Sequence, residues 1–164
     1  MKFSNAIMAL AAAMLLSLGA TSCRNTKEVG TSTAYYQFDP TFQSADASGR
    51  LTVRSWGQAS SKGKAIEQAK KNAVSQLLFK GYQGAPGYMN RPLVQEVNAR
   101  ERYAEYFDRF FADGGEYRKF VKEASASDDS RLRSKTDAVQ NLSVVVVLDV
   151  NKLREQLRKD GVIK

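Results

Sequence analysis

The chain has 164 residues, 25 Lys and Arg against 17 Asp and Glu, a formal net charge of +8, a single cysteine and no histidine. The absence of histidine excludes Ser-His-Asp and Cys-His catalysis and histidine-based zinc sites. The lone cysteine excludes a disulfide within the chain. Any chemistry has to run on carboxylates, Lys, Tyr, Ser or the backbone, and the fold has to hold by packing alone.

The first stretch, Met1–Cys23, begins with Lys2 and continues as a small and apolar run over Ala6–Leu18, interrupted only by Ser17. The run is shorter than the ~20 apolar residues that span a bilayer. It is followed by Gly19-Ala20-Thr21-Ser22 and then Cys23. A basic start, a short apolar centre and a small-residue tail read as the signal peptide of an exported protein. The cysteine directly after that tail resembles a bacterial lipobox in the looser form with Ala three residues before it. In that reading residues 1–22 are removed, and Cys23 carries lipid on its sulfur and amino group. Each buried methylene contributes ~0.8 kcal/mol, so two or more acyl chains hold stably where one holds weakly. Removal of residues 1–22 leaves 142 residues with a charge of +7, since Lys2 is the only charged residue lost. That length suits one domain. An envelope location removes nucleic acid from the expected partners; the basic balance then reads as a solvated surface with surplus lysine and arginine, or as a match for anionic lipid or cell-wall polymer.

Arg24–Asp46 reads as a polar tether with Tyr35, Tyr36, Phe38 and Phe42 as aromatic exceptions, so residues 23–46 are expected to be flexible and 47–164 to form the domain. Gly49–Gln58 predicts a first strand, with Leu51, Val53 and Ser55 alternating against Thr52, Arg54 and Trp56. Trp56 at its end reads as a lid on the core. Ser61–Lys80 is the clearest helix: Ser61 can cap it, Ile66, Ala69, Ala73 and Leu77 make one stripe, and Ala65, Val74 and Leu78 widen it. Glu67 and Lys71 form an outer i,i+4 pair, and Gly81 is placed to end the helix.

Tyr82–Arg91 reads as a loop and Pro92 as the first turn of a second helix running to about Ala112. Leu93, Val97, Ala104, Phe107 and Phe111 follow heptad-like spacing, with Arg100 breaking the apolar run. Glu96–Arg100 and Glu105–Arg109 are its expected pairs. Asp113-Gly114-Gly115 is a stop. Glu116–Ala126 reads as a strand, Ser125–Ser130 as a turn, and Arg131–Val139 as either a hairpin extension or a loop. Asn141–Val150 is the strongest strand; Leu142, Val144, Val146 and Leu148 make one face, and Val145 and Val147 keep the other apolar, as for a strand in mid-sheet or covered on both sides. Asp149 caps a last helix that carries Val150, Leu153 and Leu157 and ends at Gly161. The order β-α-α-β-β-α predicts an α+β domain, one small, mostly antiparallel sheet with helices packed on it.

A strand running into Gly57, followed by the alanine-spaced helix AIEQAKKNAVSQLL, resembles small bacterial envelope lipoproteins of the LPP-twenty type and the amino-terminal domain of FlgT-like flagellar-assembly lipoproteins. The YRKFV and SVVVVLDV strands and the ending LREQLRKDGVI fit the same layout. The resemblance spans roughly Gly49–Ile163. It implies an envelope assembly or scaffold module and brings no catalytic residue and no cofactor with it. The long aromatic second helix and RPLVQEVNARERY depart from that pattern.

Gly57–Ala65, GQASSKGKA, stands where a phosphate loop would, between a strand and a helix. Five residues separate its glycines instead of four, and Ala65 replaces the hydroxyl that serves the metal. Glu96, Glu101, Glu105, Asp108, Asp113 and Glu116 are the acids from which a glycosidase-like pair would come; such a pair needs ~5–9.5 Å across a cleft and one raised pKa. Charges at salt-bridging spacing on a helix are usually solvated instead. The second helix packs five aromatics into nine residues, Tyr103 to Phe111. They read first as hydrophobic core; five aromatics are also wider than one buried stripe, and the alternative is a partner surface of Arg100, Tyr103, Tyr106 and Phe110, with Arg91 and Arg102 at its rim. The expected protein is thus a non-enzymatic envelope lipoprotein held by Cys23, most simply at the outer membrane, which docks an envelope protein or a second copy of itself. A carboxylate-dependent hydrolase of envelope glycan is the alternative.

Overall fold

The computed structural model describes residues 39–127 and 140–164. Strands β1 (Thr41–Ala45), β2 (Arg50–Ala59), β3 (Val121–Ser127) and β4 (Gln140–Asp149) form one four-stranded sheet in the order β1-β2-β4-β3. Every pairing in it is antiparallel. Helices α1 (Lys62–Phe79), α2 (Ala99–Arg102), α3 (Ala104–Phe110) and α4 (Val150–Lys159) join it, with 3-10 turns at Gly87–Asn90 and Glu116–Phe120. The α+β class and the single antiparallel sheet follow the expectation. Cys23 and Arg131–Val139 lie outside the described residues.

β2 and β4 pair along their full lengths, from Arg50 opposite Asp149 to Ala59 opposite Gln140. Their inner face buries Leu51, Val53, Leu142, Val144, Val146 and Leu148. α1 covers that face. Ser61 caps it, its Oγ accepting from the Lys64 N–H at 3.4 Å. Ala65, Ala69, Ala73, Val74, Leu77 and Leu78 are its buried stripe, while Ile66 is only partly buried. Alanines let the helix approach closely, and Gly57 accommodates it: a Cβ there would lie 1.8 Å from the Ala65 carbonyl oxygen. One strand turn away, the buried Ser55 Oγ donates to the Ala69 carbonyl at 2.7 Å. Gly57 therefore belongs to a strand–helix seat, which closes the stretch where a phosphate loop would lie.

Three sequence expectations need correction. The tether contains a strand: Thr41–Ala45 pairs with β2, Phe42 opposite Val53 and Ala45 opposite Leu51, and both apolar side chains pack against the core. The second helix does not start at Pro92. The N–H groups of Leu93 and Val94 donate to the Leu77 and Leu78 carbonyls at 3.2 and 2.9 Å, closing the end of α1. Those carbonyls have no partner within the helix, so the returning chain stays extended to satisfy them. Asn98 then adopts a left-handed conformation (φ 64°), which Asn tolerates better than most residues, and only the short α2 and α3 follow. Finally, Glu116–Phe120 is a 3-10 turn and not the start of β3. The element order is accordingly β-β-α-α-α-β-β-α.

Trp56 also differs from its expected place. Its position opposite Ser143 puts it on the outer face, and it stands with Val145 and Val147 outside the core that the helices and inner face share. β4 is a mid-sheet strand, paired on both sides, and Val145 and Val147 on its outer face are partly buried.

Because the Gly57 seat is backbone against backbone, Gly57→Ala should destabilise the domain by about 3 kcal/mol, the upper range for overpacking. Urea unfolding followed by circular dichroism checks this. A change within error of zero would show that α1 slides without cost.

Candidate interaction surface

The aromatic residues of α2 and α3 are positioned by two neighbours. Phe107 meets Phe79 at the end of α1 edge-on, with ring centres 5.0 Å apart. The Asp113-Gly114-Gly115 stop turns the chain back, so that Phe120 stacks on Phe110 at 6.1 Å and Tyr117 on Phe111 at 6.1 Å. The 3-10 turn thus supplies a second cover that helix periodicity does not reveal.

Of the four residues expected to form a partner surface, Phe110 is 2% exposed and belongs to the core. Tyr106 is half-buried, and its hydroxyl donates to Asp160 Oδ2 at 2.8 Å. Burial and the Asp160 carboxylate push that hydroxyl's pKa well up. Arg100 is exposed, while Tyr103, like Tyr106, is partly buried and packs against the core. The Arg100 guanidinium lies 4.1 Å over the Phe79 ring and donates to Ser75 Oγ at 3.1 Å. Arg102 lies 5.5 Å over Tyr103 and pairs with Glu96. Beside them Val97 is 82% exposed. The expected surface is thereby reduced to Arg100, Arg102, Tyr103 and Val97, and a single exposed valine is ordinary on a protein surface.

The six candidate acids do not make a buried site. Glu96, Glu101, Glu105, Asp108, Asp113 and Glu116 are all exposed. Glu96 pairs with Arg102 rather than Arg100, and Glu116 pairs with Lys119 at 2.8 Å. Asp113 accepts from Lys71 Nζ at 2.9 Å, and that hydrogen bond lowers its pKa, the reverse of what a general acid needs. Among the described residues no group of three His, Cys, Asp or Glu is placed to hold a metal ion.

The acid with the most elaborate surroundings is one that its spacing assigned to Lys71. Glu67 accepts from Tyr117 Oη at 2.6 Å, Lys70 Nζ at 3.0 Å and Arg118 Nε at 2.8 Å. Partial burial pushes its pKa up, but these hydrogen bonds outweigh burial and hold it at about 2, against an ordinary 4.5. Burial and the facing carboxylate push the Tyr117 hydroxyl up to about 12. A carboxylate this saturated is a clamp: it fastens the 3-10 turn to α1. Only the return of the chain past Gly115 brings Tyr117 and Arg118 to it, so no local signal marks it.

The outer face of the sheet carries Thr52, Arg54 and Trp56 from β2, Val145 and Val147 from β4, and Lys122 from β3. A shallow cavity of about 340 Å³ opens at its β1 end, lined by Ser44, Asp46, Arg50, Thr52 and Val147 among others. Asp46 is consumed there by Ser48 and Arg50; hydrogen bonds from both hold its pKa at about 2. Comparison of the chain with protein-family models, with curated proteins and with solved structures finds no significant match in any of the three.

The Glu67 clamp predicts an acid-linked loss of stability. Its folded pKa lies below the unfolded value, so its contribution is complete above pH 4.5 and declines as pH falls from there towards 2. Glu67→Gln should cost on the order of 1–2 kcal/mol at pH 7 and flatten the fall in melting temperature across that acid window. Parallel melting curves of the two proteins would refute the clamp.

Proposed function

We propose that this protein is a bacterial envelope lipoprotein, held in the outer membrane by lipid on Cys23, whose α+β domain acts as a non-enzymatic docking or assembly module. One observation carries the reading: the only cysteine of the chain directly follows a basic start, a short apolar run and a small-residue tail. The domain's chemistry agrees with it. There is no histidine, and the candidate acids are exposed, three of them in ion pairs. That environment favours docking over glycan hydrolysis. No described helix is long and apolar enough to cross a membrane. Its partner is an envelope protein or a second copy of the chain, and Arg100, Arg102 and Tyr103 are the surface offered. The likeness to LPP-twenty and FlgT-like lipoproteins belongs to this proposal and rests on the strand–helix pattern around Gly57.

The expected mature protein begins at Cys23 with acyl groups on its sulfur and amino nitrogen, and mass spectrometry of detergent-extracted material reads this directly. Cys23→Ser should leave the precursor uncleaved at this position and release the domain from lipid-dependent detergent partitioning. Unmodified Cys23 in the mature membrane fraction would end the proposal.

A further inference from the structure

The chain holds two Asp-Gly pairs, Asp113-Gly114 and Asp160-Gly161, and the fold treats them differently. We propose that Asp113-Gly114 is a site of spontaneous backbone isomerisation to isoaspartate, restrained by Lys71, and that Asp160-Gly161 is protected from the same reaction. The chemistry needs no partner. The Gly114 nitrogen attacks Cγ of the protonated Asp113 carboxyl, a ring closure between groups already held side by side in the chain. The N–H proton and the carboxyl hydroxyl leave as water, and a cyclic imide forms. Water then opens the imide at either carbonyl. One product is the original chain; in the other the backbone runs through Cβ and the α-carboxylate is free. The water that leaves is matched by the water that returns, so mass and charge are unchanged.

The surroundings of Asp113 favour the reaction. Its side chain is fully exposed. The Gly115 N–H donates to the Ala112 carbonyl at 2.8 Å, so Asp113 and Gly114 are the central residues of a turn, with Gly114 at φ 79°. The peptide unit between them has to rotate to bring the nitrogen onto the side chain. Glycine resists that rotation least, because both signs of φ are open to it. A Cβ on Gly114 would meet nothing within 4 Å, so the turn has room to move. Among the described residues neither the Asp113 carbonyl nor the Gly114 N–H makes a hydrogen bond that would hold this unit.

At Asp160 the same atoms are engaged. The Gly161 N–H donates to the Arg158 carbonyl at 3.0 Å, and the carboxylate accepts from the Tyr106 hydroxyl at 2.8 Å and from Gln156 Nε2 at 2.9 and 3.0 Å. Nitrogen and carboxyl must both be released before they can meet. The Asp113 carboxylate has one hydrogen-bond donor, Lys71 Nζ at 2.9 Å. The ammonium favours the ionised carboxylate, the form that cannot lose water, and the Asp113 pKa is lowered accordingly. Most of the Lys71 side chain is buried, with its Nζ 5.6 Å from the centre of the Tyr117 ring, so the restraint is built into the fold. Isomerisation lengthens the chain by one methylene and takes the carboxylate from the position at which Lys71 meets it, in the stop that leads to the Glu67 clamp.

The test incubates the purified protein, folded or unfolded in urea, for weeks at neutral pH. Isoaspartyl methyltransferase labelling and peptide mass spectrometry then locate isoaspartate. In the folded protein it should build up at Asp113 ~10-fold or more faster than at Asp160, where several hydrogen bonds must open first. In urea the two pairs should convert alike, since the contrast belongs to the fold. Lys71→Met, which keeps an unbranched stem beside Tyr117, should raise the rate at Asp113 several-fold and leave Asp160 unchanged. A rise at both sites, or at neither, removes Lys71 as the restraint. Equal accumulation at the two sites in the folded protein overturns the proposal. So does a folded protein without isoaspartate at Asp113 after an incubation that converts the unfolded chain.

Discussion

The approach of α1 to β2, with a helix carbonyl against the bare Cα of Gly57, is the constraint on which the remaining structure depends. An alanine stripe allows the approach, and the Ser55 hydroxyl fixes its register by donating to the Ala69 carbonyl. With the helix seated, its other surfaces acquire fixed tasks. Its C-terminal carbonyls receive Leu93 and Val94, and the Tyr82 hydroxyl donates to Ala73 at 2.9 Å. Its outer side presents Glu67 and Lys71 to the returning segment around Tyr117 and Asp113. One helix thereby organises the sheet, the loop after it and the 3-10 turn.

This arrangement makes a domain with two unlike sides. The covered side holds the aromatic cluster and most of the ion pairs, and the exposed pairs among them contribute little each. The clamp at Glu67 is the exception, since one partly buried carboxylate receives three donors. The other face of the sheet carries Trp56, Val145 and Val147, with Arg54 and Lys122 beside them and Ser143 fully buried among them.

The aromatic segment shows how an apparent surplus of apolar area can be absorbed. Phe107, Phe110 and Phe111 point to more than one side of a short helix, and a lone helix would expose some of them. Here α1 takes one side and Tyr117 with Phe120 takes the other. What is left outside is Arg100 and Arg102, each lying over an aromatic ring.

The amino-acid sequence by itself determined the α+β class, the strands β2 and β4, helix α1 with its Ser61 cap and Gly81 stop, and the α4 helix capped by Asp149. These elements carry strong periodicity and end in residues whose own chemistry stops them. The signal-like segment and Cys23 are legible in the same local way. Only tertiary structure decided β1, whose five residues have no internal pattern and exist as a strand because β2 has an open edge. Tertiary contacts also broke the expected second helix, since Leu93 and Val94 give their N–H groups to α1 and not to a helix of their own. The same holds for the clamp on Glu67 and for the burial of Phe110. Each depends on a partner some ten to fifty residues distant in sequence. Hydrogen-bond demand and apolar cover are satisfied in space, so a reading of neighbours along the chain finds the elements and misses the partners.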